Sequence, residues 1–141
     1  MSPALAPGDY VIARRHGRLR RGAIVLYRSE DRIMIKRAIG LPGEEFRIDG
    51  GVVAIDGVPF DDPWWDAATR PDGVWKLSEQ ELFVLGDRRS ESRGDSRDAG
   101  PIRRDDVEGI AVLRYWPLRR LGRLSARPKP PNEGGAARRA R

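Results

Sequence analysis

Turn signals cut this chain into pieces too short for long helices. Pro42-Gly43, Asp49-Gly50-Gly51 and Asp56-Gly57 are separated only by residues 44–48 and 52–55. Asp-Gly between short apolar runs favours the backbone twist of a tight hairpin loop. Runs of that length suffice for strands but not for helices of several turns. The same reading extends to residues 9–14, 22–28, 33–39, 74–77, 82–85 and 107–116, giving about eight short strands and an all-β, antiparallel fold. Sixteen glycines and eleven prolines in 141 residues agree with a loop-rich β-domain rather than a helical bundle. Residues 59–73 show no clear period. Their Trp64-Trp65 pair is read as a plug at a core edge, with a substrate contact as the alternative. Residues 88–100 are so charged that they read, alone, as a solvated loop, and 102–106 as a connector.

Charge divides the chain. Residues 119–141 carry eight Lys/Arg and one Glu, a net of +7, whereas 1–118 carry a net of −1. We therefore expect one β-domain over 1–118 and a disordered, basic tail over 119–141. The tail has no aromatic side chain to stack on a base, so any nucleic-acid or anionic-lipid contact would be nonspecific and salt-sensitive; no specific nucleic-acid partner is expected. There is no cysteine, which excludes disulfides and Cys-ligated zinc. The single histidine, His16, lies in an Arg/Gly-rich turn, which argues against a histidine-based triad. No run approaches the length of a membrane span, so the sequence as it stands reads as soluble and unanchored.

One side chain stands out against this background. Of 27 basic residues only Lys36, Lys76 and Lys129 are lysines. Alternation in residues 33–39 puts Ile33, Ile35, Arg37 and Ile39 on one face and Met34, Lys36 and Ala38 on the other. Arginine stays protonated in a protein, but a desolvated lysine can lose its proton. A lysine between two apolar neighbours in an arginine-rich chain is thus a candidate neutral base. A solvated lysine at a strand edge is the plainer reading of the strand alone.

Three segments complete the pattern: MSPALAPGD at the start, IKRAIGLPGE in the middle and LGDRRSESRGDSRDAGPI late. Together they resemble the bacterial type I signal peptidase family, the serine/lysine membrane proteases. The middle block is Lys36, Arg37, Gly40, Pro42, Gly43 and Glu44. The late block is Gly86, Asp87, Ser92, Asp95, Ser96, Arg97 and Gly100, and Tyr115-Trp116-Pro117 closes the match. The resemblance implies a signal-peptidase-like β-domain in which a serine attacks the scissile carbonyl and neutral Lys36 takes its proton. It implies that Ser92 orients the lysine and that Asp95 and Arg97 pair to hold the loop. It further implies that Met1, Leu5, Met34 and Ile35 contact an extended substrate lying beside them. The expected partners are exported precursors bearing signal peptides, cut after small residues, with no metal or cofactor. The full-length form would be held by an N-terminal helix on the extracytoplasmic face of a membrane.

The match departs from the family pattern in three places. Arg88 replaces an asparagine. An extra residue, Arg93 or Gly94, precedes Asp95 and leaves Ser92 and Ser96 both open as the orienting serine. Most important, Met1, Pro3 and Leu5 align with the motif that follows the nucleophile, so the nucleophilic serine would be the residue before Met1. Ser2 falls two residues late, a displacement of roughly 7 Å along an extended chain. The expectation is that the motif's own methionine has been taken as the start of a longer product. The alternative is a catalytically inactive domain that binds peptides or a partner protein.

Overall fold

A computed structural model describes residues 4–65 and 67–126. Met1, Ser2, Pro3 and the segment 127–141, to which several expectations refer, lie outside the described residues. Eleven strands occur among the described residues: β1 Tyr10–Arg14, β2 Ile24–Ser29, β3 Arg32–Gly40, β4 Glu45–Asp49, β5 Val52–Ile55, β6 Val58–Pro59, β7 Gly73–Lys76, β8 Glu81–Leu85, β9 Ile102–Arg103, β10 Val107–Trp116 and β11 Gly122–Arg123. A single turn of helix, α1, covers Ser96–Ala99. The eight expected strands are all present, and the architecture is all-β and antiparallel.

The strands form two sheets. The larger has the order β1-β10-β2-β3-β8-β9, with β11 also pairing β10; the smaller has the order β6-β5-β4-β7. The turn after β3 is built by the residues of the middle block. Gly43 takes a positive φ, and the Glu44 carboxylate accepts from the Leu41 amide at 2.8 Å. Arg21 grips the same carboxylate with two bonds of 2.6 and 2.8 Å, fixing where the chain leaves one sheet and enters the other. Between the sheets lies a core of Ile39, Phe46, Ile48, Val53, Leu77, Phe83 and Leu85, with Phe46 and Phe83 stacked at 4.0 Å. Gly40 allows this approach, since a Cβ there would lie 2.8 Å from that of Phe83.

Three expectations need correction. Residues 88–100 are not a solvated loop: Arg89, Asp95 and Ser96 are buried, because hydrogen bonds within the protein replace those to water. Residues 102–106 include β9, which pairs β8 through Leu82 and Ile102. The boundary at 118 falls inside ordered chain. Residues 118–120 make a 3-10 turn, β11 pairs Leu113 and Arg114 of β10, and Leu124 packs with Leu5, Ile24 and Ala111. Apolar Leu121 and Leu124, scattered among arginines, carry too little periodicity to reveal this in sequence.

Candidate active site

Lys36 sits on β3 directly across from Val25 of β2, facing a cluster of Val25, Tyr27, Ala38, Leu82 and Val84. Only 9% of it is exposed. Its amine donates to Ser92 Oγ at 2.8 Å and to the Arg93 carbonyl at 3.0 Å. Ser96 is not near this amine in function: its Oγ is buried and accepts from the Val84 amide at 2.9 Å, which ties α1 to β8. Geometry thus singles out Ser92 of the two candidate serines as the partner of Lys36.

The loop that carries Ser92 is held at both ends. Asp95 caps α1 through its bond with the Arg97 amide at 3.1 Å. Its two oxygens also receive Arg97 Nε at 3.0 Å and Nη2 at 2.8 Å, with the Gly86 amide at 3.2 Å. Ser92 is among the groups that favour the charged form of the same carboxylate. Burial alone would raise the Asp95 carboxyl, but the Arg97 bonds, the Gly86 amide and Ser92 outweigh it and hold the group below the usual carboxylate range. Gly86 is required by this packing, since a Cβ there would lie 2.1 Å from Ser92 Oγ.

Burial pushes the Lys36 amine below the ordinary lysine value; Asp95 opposes this, Arg97 adds to it and Asp98 opposes it. The hydrogen-bond directions matter as much. The amine is the donor in both bonds, with Ser92 Oγ and the Arg93 carbonyl accepting. A neutral Lys36 then spends one N–H on Ser92 and the other on Arg93, and its lone pair remains for a third group. An open cavity of about 340 Å³ adjoins the amine, lined by Leu5, Pro7, Lys36, Arg88, Glu91, Ser92 and Arg93.

Leu5 is therefore close to Lys36, and it is buried with Ile24 and Ala111, against which Ile35 packs. Ile35 and Met34 flank Lys36 on opposite faces of the sheet; Met34 joins the cluster around Tyr27, and its Cε approaches Gly94. Met1 lies outside the described residues. Among the described residues one flank of β3 is open here: β8 pairs it only from Arg37 onward, while β2 pairs residues 32–37 on the other side. Among the described residues no group of His, Asp and Glu is arranged to hold a metal ion.

Several supporting residues had no role assigned in the sequence reading. Arg37 and Asp87 form a buried two-bond ion pair at 2.7 and 2.8 Å, and the guanidinium lies 4.9 Å from the Trp64 ring centre. Trp64 is thus a plug, packed against the inter-sheet core. Tyr27 donates to the Gly94 carbonyl at 3.1 Å, and burial followed by the Asp95 charge pushes its phenol up to about 12. Its one sequence signal is its place on β2, where alternation puts it on the face of Val25.

Residues 1–116 match the family model described as signal peptidase, peptidase S26. The chain is 36% identical over 122 residues to signal peptidase I of Leptolyngbya laminosa, covering 77% of this chain and 59% of that protein. It is 35% identical over 138 residues to probable signal peptidase I-2 of Synechocystis, covering 89% of this chain and 63% of that protein. The chain thus spans about three fifths of the length of these two relatives. A crystal structure of signal peptidase I from Enterococcus faecalis V583 superposes with a TM-score of 0.59 at 26% identity, covering 67% of this chain and 97% of the other.

Proposed function

The chain belongs to the signal peptidase family, and from that premise we propose that it forms the catalytic part of a serine/lysine endopeptidase that cleaves signal peptides from exported precursors. The observation that carries this is the Lys36 amine, desolvated, bonded to Ser92 and the Arg93 carbonyl, and open to a cavity on its remaining side. In this reading the serine hydroxyl attacks the scissile carbonyl while Lys36 Nζ accepts its proton, then returns that proton to the leaving amine. Ser92 and Asp95 fix the direction of the amine. Asp95 keeps its charge through Arg97 and passes no proton.

The nucleophile in this reading is a serine placed directly before Met1. The substrate lies extended along the open flank of β3, where main-chain groups of residues 32–36 meet no strand among the described residues. Leu5, Met34, Ile35 and Met1 supply the side-chain contacts.

The test is a chain with serine added directly before Met1, assayed on a signal-peptide substrate beside its Lys36→Arg variant. Arginine keeps the charge and much of the length but cannot act as a neutral base. Cleavage by the parent is expected to rise with pH on its acid limb, with a midpoint below that of an ordinary lysine. Lys36→Arg is expected to lower the rate by at least about 100-fold, the usual worth of a general base. Substantial activity in Lys36→Arg would overturn the mechanism.

A further inference from the structure

The loop that holds Ser92 has one buried anchor between residues 88 and 94. Arg88, Ser90, Glu91 and Arg93 are exposed and Ser92 and Gly94 are half-buried, but Arg89 is almost fully enclosed. Its guanidinium reaches across to a different part of the chain. Nε donates to the Gly86 carbonyl at 2.9 Å, Nη1 to Thr69 Oγ1 at 2.9 Å, and Nη2 to the Asp62 carboxylate. Both members of the Asp62–Arg89 pair are at least nine-tenths buried.

The receiving segment is itself fixed. The second Asp62 oxygen accepts from the Trp64 amide at 3.0 Å, closing the turn that sets Trp64 against Arg37. Buried Thr69 donates its amide to the Gly51 carbonyl at 2.9 Å, which ties the segment to the smaller sheet. A second arginine repeats the link: Arg97 donates to the Arg70 carbonyl at 2.8 Å and to the Arg89 carbonyl at 2.7 Å. Asp62, Thr69 and Arg70 thus tie the loop 86–97 to the segment that carries them.

We propose that Asp62, Thr69 and Arg89 are positioning residues for the Lys36–Ser92 pair, acting through the loop rather than on substrate. The inference rests on Lys36 being the base of the reading above. Two groups that contact Lys36, Ser92 Oγ and the Arg93 carbonyl, belong to the stretch that Arg89 anchors. The backbone links the two effects: the Ser92 amide donates to the Arg88 carbonyl at 2.8 Å, so a shift of Arg89 is a shift of Ser92. With the anchor gone, the loop lifts, water reaches the amine and its ammonium form is restored. The charged and titratable groups around the amine are Asp95, Arg97 and Asp98 from the turn at α1, the neutral Tyr27 phenol from β2, and Arg88, Glu91 and Arg93 at the cavity rim. None is altered in the test.

The experiment titrates Lys36 directly in the 141-residue chain, which needs no nucleophile. Lysine-selective 13C labelling gives one ε-methylene signal for each of three lysines, assigned with Lys36→Met, and exposed Lys76 serves as the internal reference. Asp62→Leu/Arg89→Met replaces the buried pair by apolar side chains, a change that often preserves stability where a single truncation does not. Thr69→Val removes one bond without leaving a carboxylate unpaired. The Lys36 midpoint is expected to rise by about one pH unit in the double variant, a tenfold loss of neutral amine at neutral pH, and by less in Thr69→Val. An unchanged midpoint in either folded variant overturns the proposal. A midpoint equal to that of Lys76 in the unmutated chain overturns the reading of Lys36 itself, and this inference with it.

Discussion

At the scale of single residues, the site depends on a few close approaches. Gly86 is the tightest. Its replacement by alanine would put a methyl group where Ser92 Oγ lies, 2.1 Å from the built Cβ. Gly86→Ala is expected to cost about 1–3 kcal/mol in urea unfolding, the usual cost of overpacking. It should also remove the depressed titration of Lys36, because Ser92 must move. Lys36 itself gives a signed pH dependence. Burial holds its folded pKa below the ordinary value. Between those two values the unfolded chain binds more protons than the folded one, so this group's contribution to stability rises with pH across that window. Below the window the buried ammonium destabilises at its full cost. Lys36→Met lacks this term. Its stability relative to wild type should therefore be greatest below the folded-state midpoint of Lys36, and should shrink as pH climbs toward about 10, the ordinary lysine value. Urea melts of both proteins at several pH values check this, and a difference independent of pH would contradict it.

At the scale of elements, β3 joins the two halves of the site. One face carries Lys36 to the cavity, while the next residue, Arg37, points the other way into a buried pair with Asp87. Arg37 also donates to the Gly22 carbonyl at 2.7 Å, and a Cβ on Gly22 would lie 2.3 Å from Trp64. Strand β3, the start of the 86–97 loop and the Trp64 turn thus meet at one guanidinium. Asp87→Ala leaves that charge buried without its carboxylate and is expected to cost about 3–5 kcal/mol. Chemical denaturation measures this, and a cost below about 1 kcal/mol, as for an exposed pair, would show that the guanidinium escapes to water.

At the scale of the whole molecule, β10 is the seam on which both ends of the described chain close. It pairs β1 and β11, and Arg114 reaches the Ala4 carbonyl at 2.6 Å. Asp9, near the entrance to β1, is gripped by Arg120 at 2.7 and 2.8 Å. Leu124 completes the cluster that holds Leu5 beside the cavity. A chain ending at 121 is therefore expected to be less stable than one ending at 126 by about 1 kcal/mol, roughly half the worth of a fully buried leucine, since Leu124 is half-buried. That corresponds to about 4 °C in Tm for a domain of this size. Equal melting temperatures would mean that β11 and Leu124 add nothing to the fold.

Eight of the eleven strands, the turns between them and the candidate lysine are legible in the sequence alone, because these are local. Asp-Gly and Pro-Gly pairs act on their own backbone, and alternation in residues 33–39 needs no distant partner to place Lys36 among apolar neighbours. The resemblance added Ser92, Asp95 and Arg97 but left Ser92 and Ser96 open, since one inserted residue shifts a loop register that no periodicity records. Tertiary structure decided that choice by giving Ser96 to the Val84 amide and Ser92 to Lys36. It also decided the fate of the charged stretch 88–97. Charged residues in a loop read as solvated until their partners are known, and the partners of Arg89 lie 20 and 27 residues away at Thr69 and Asp62. Burial of an arginine depends on acceptors brought from elsewhere in the chain, and only the folded arrangement of the two sheets brings them.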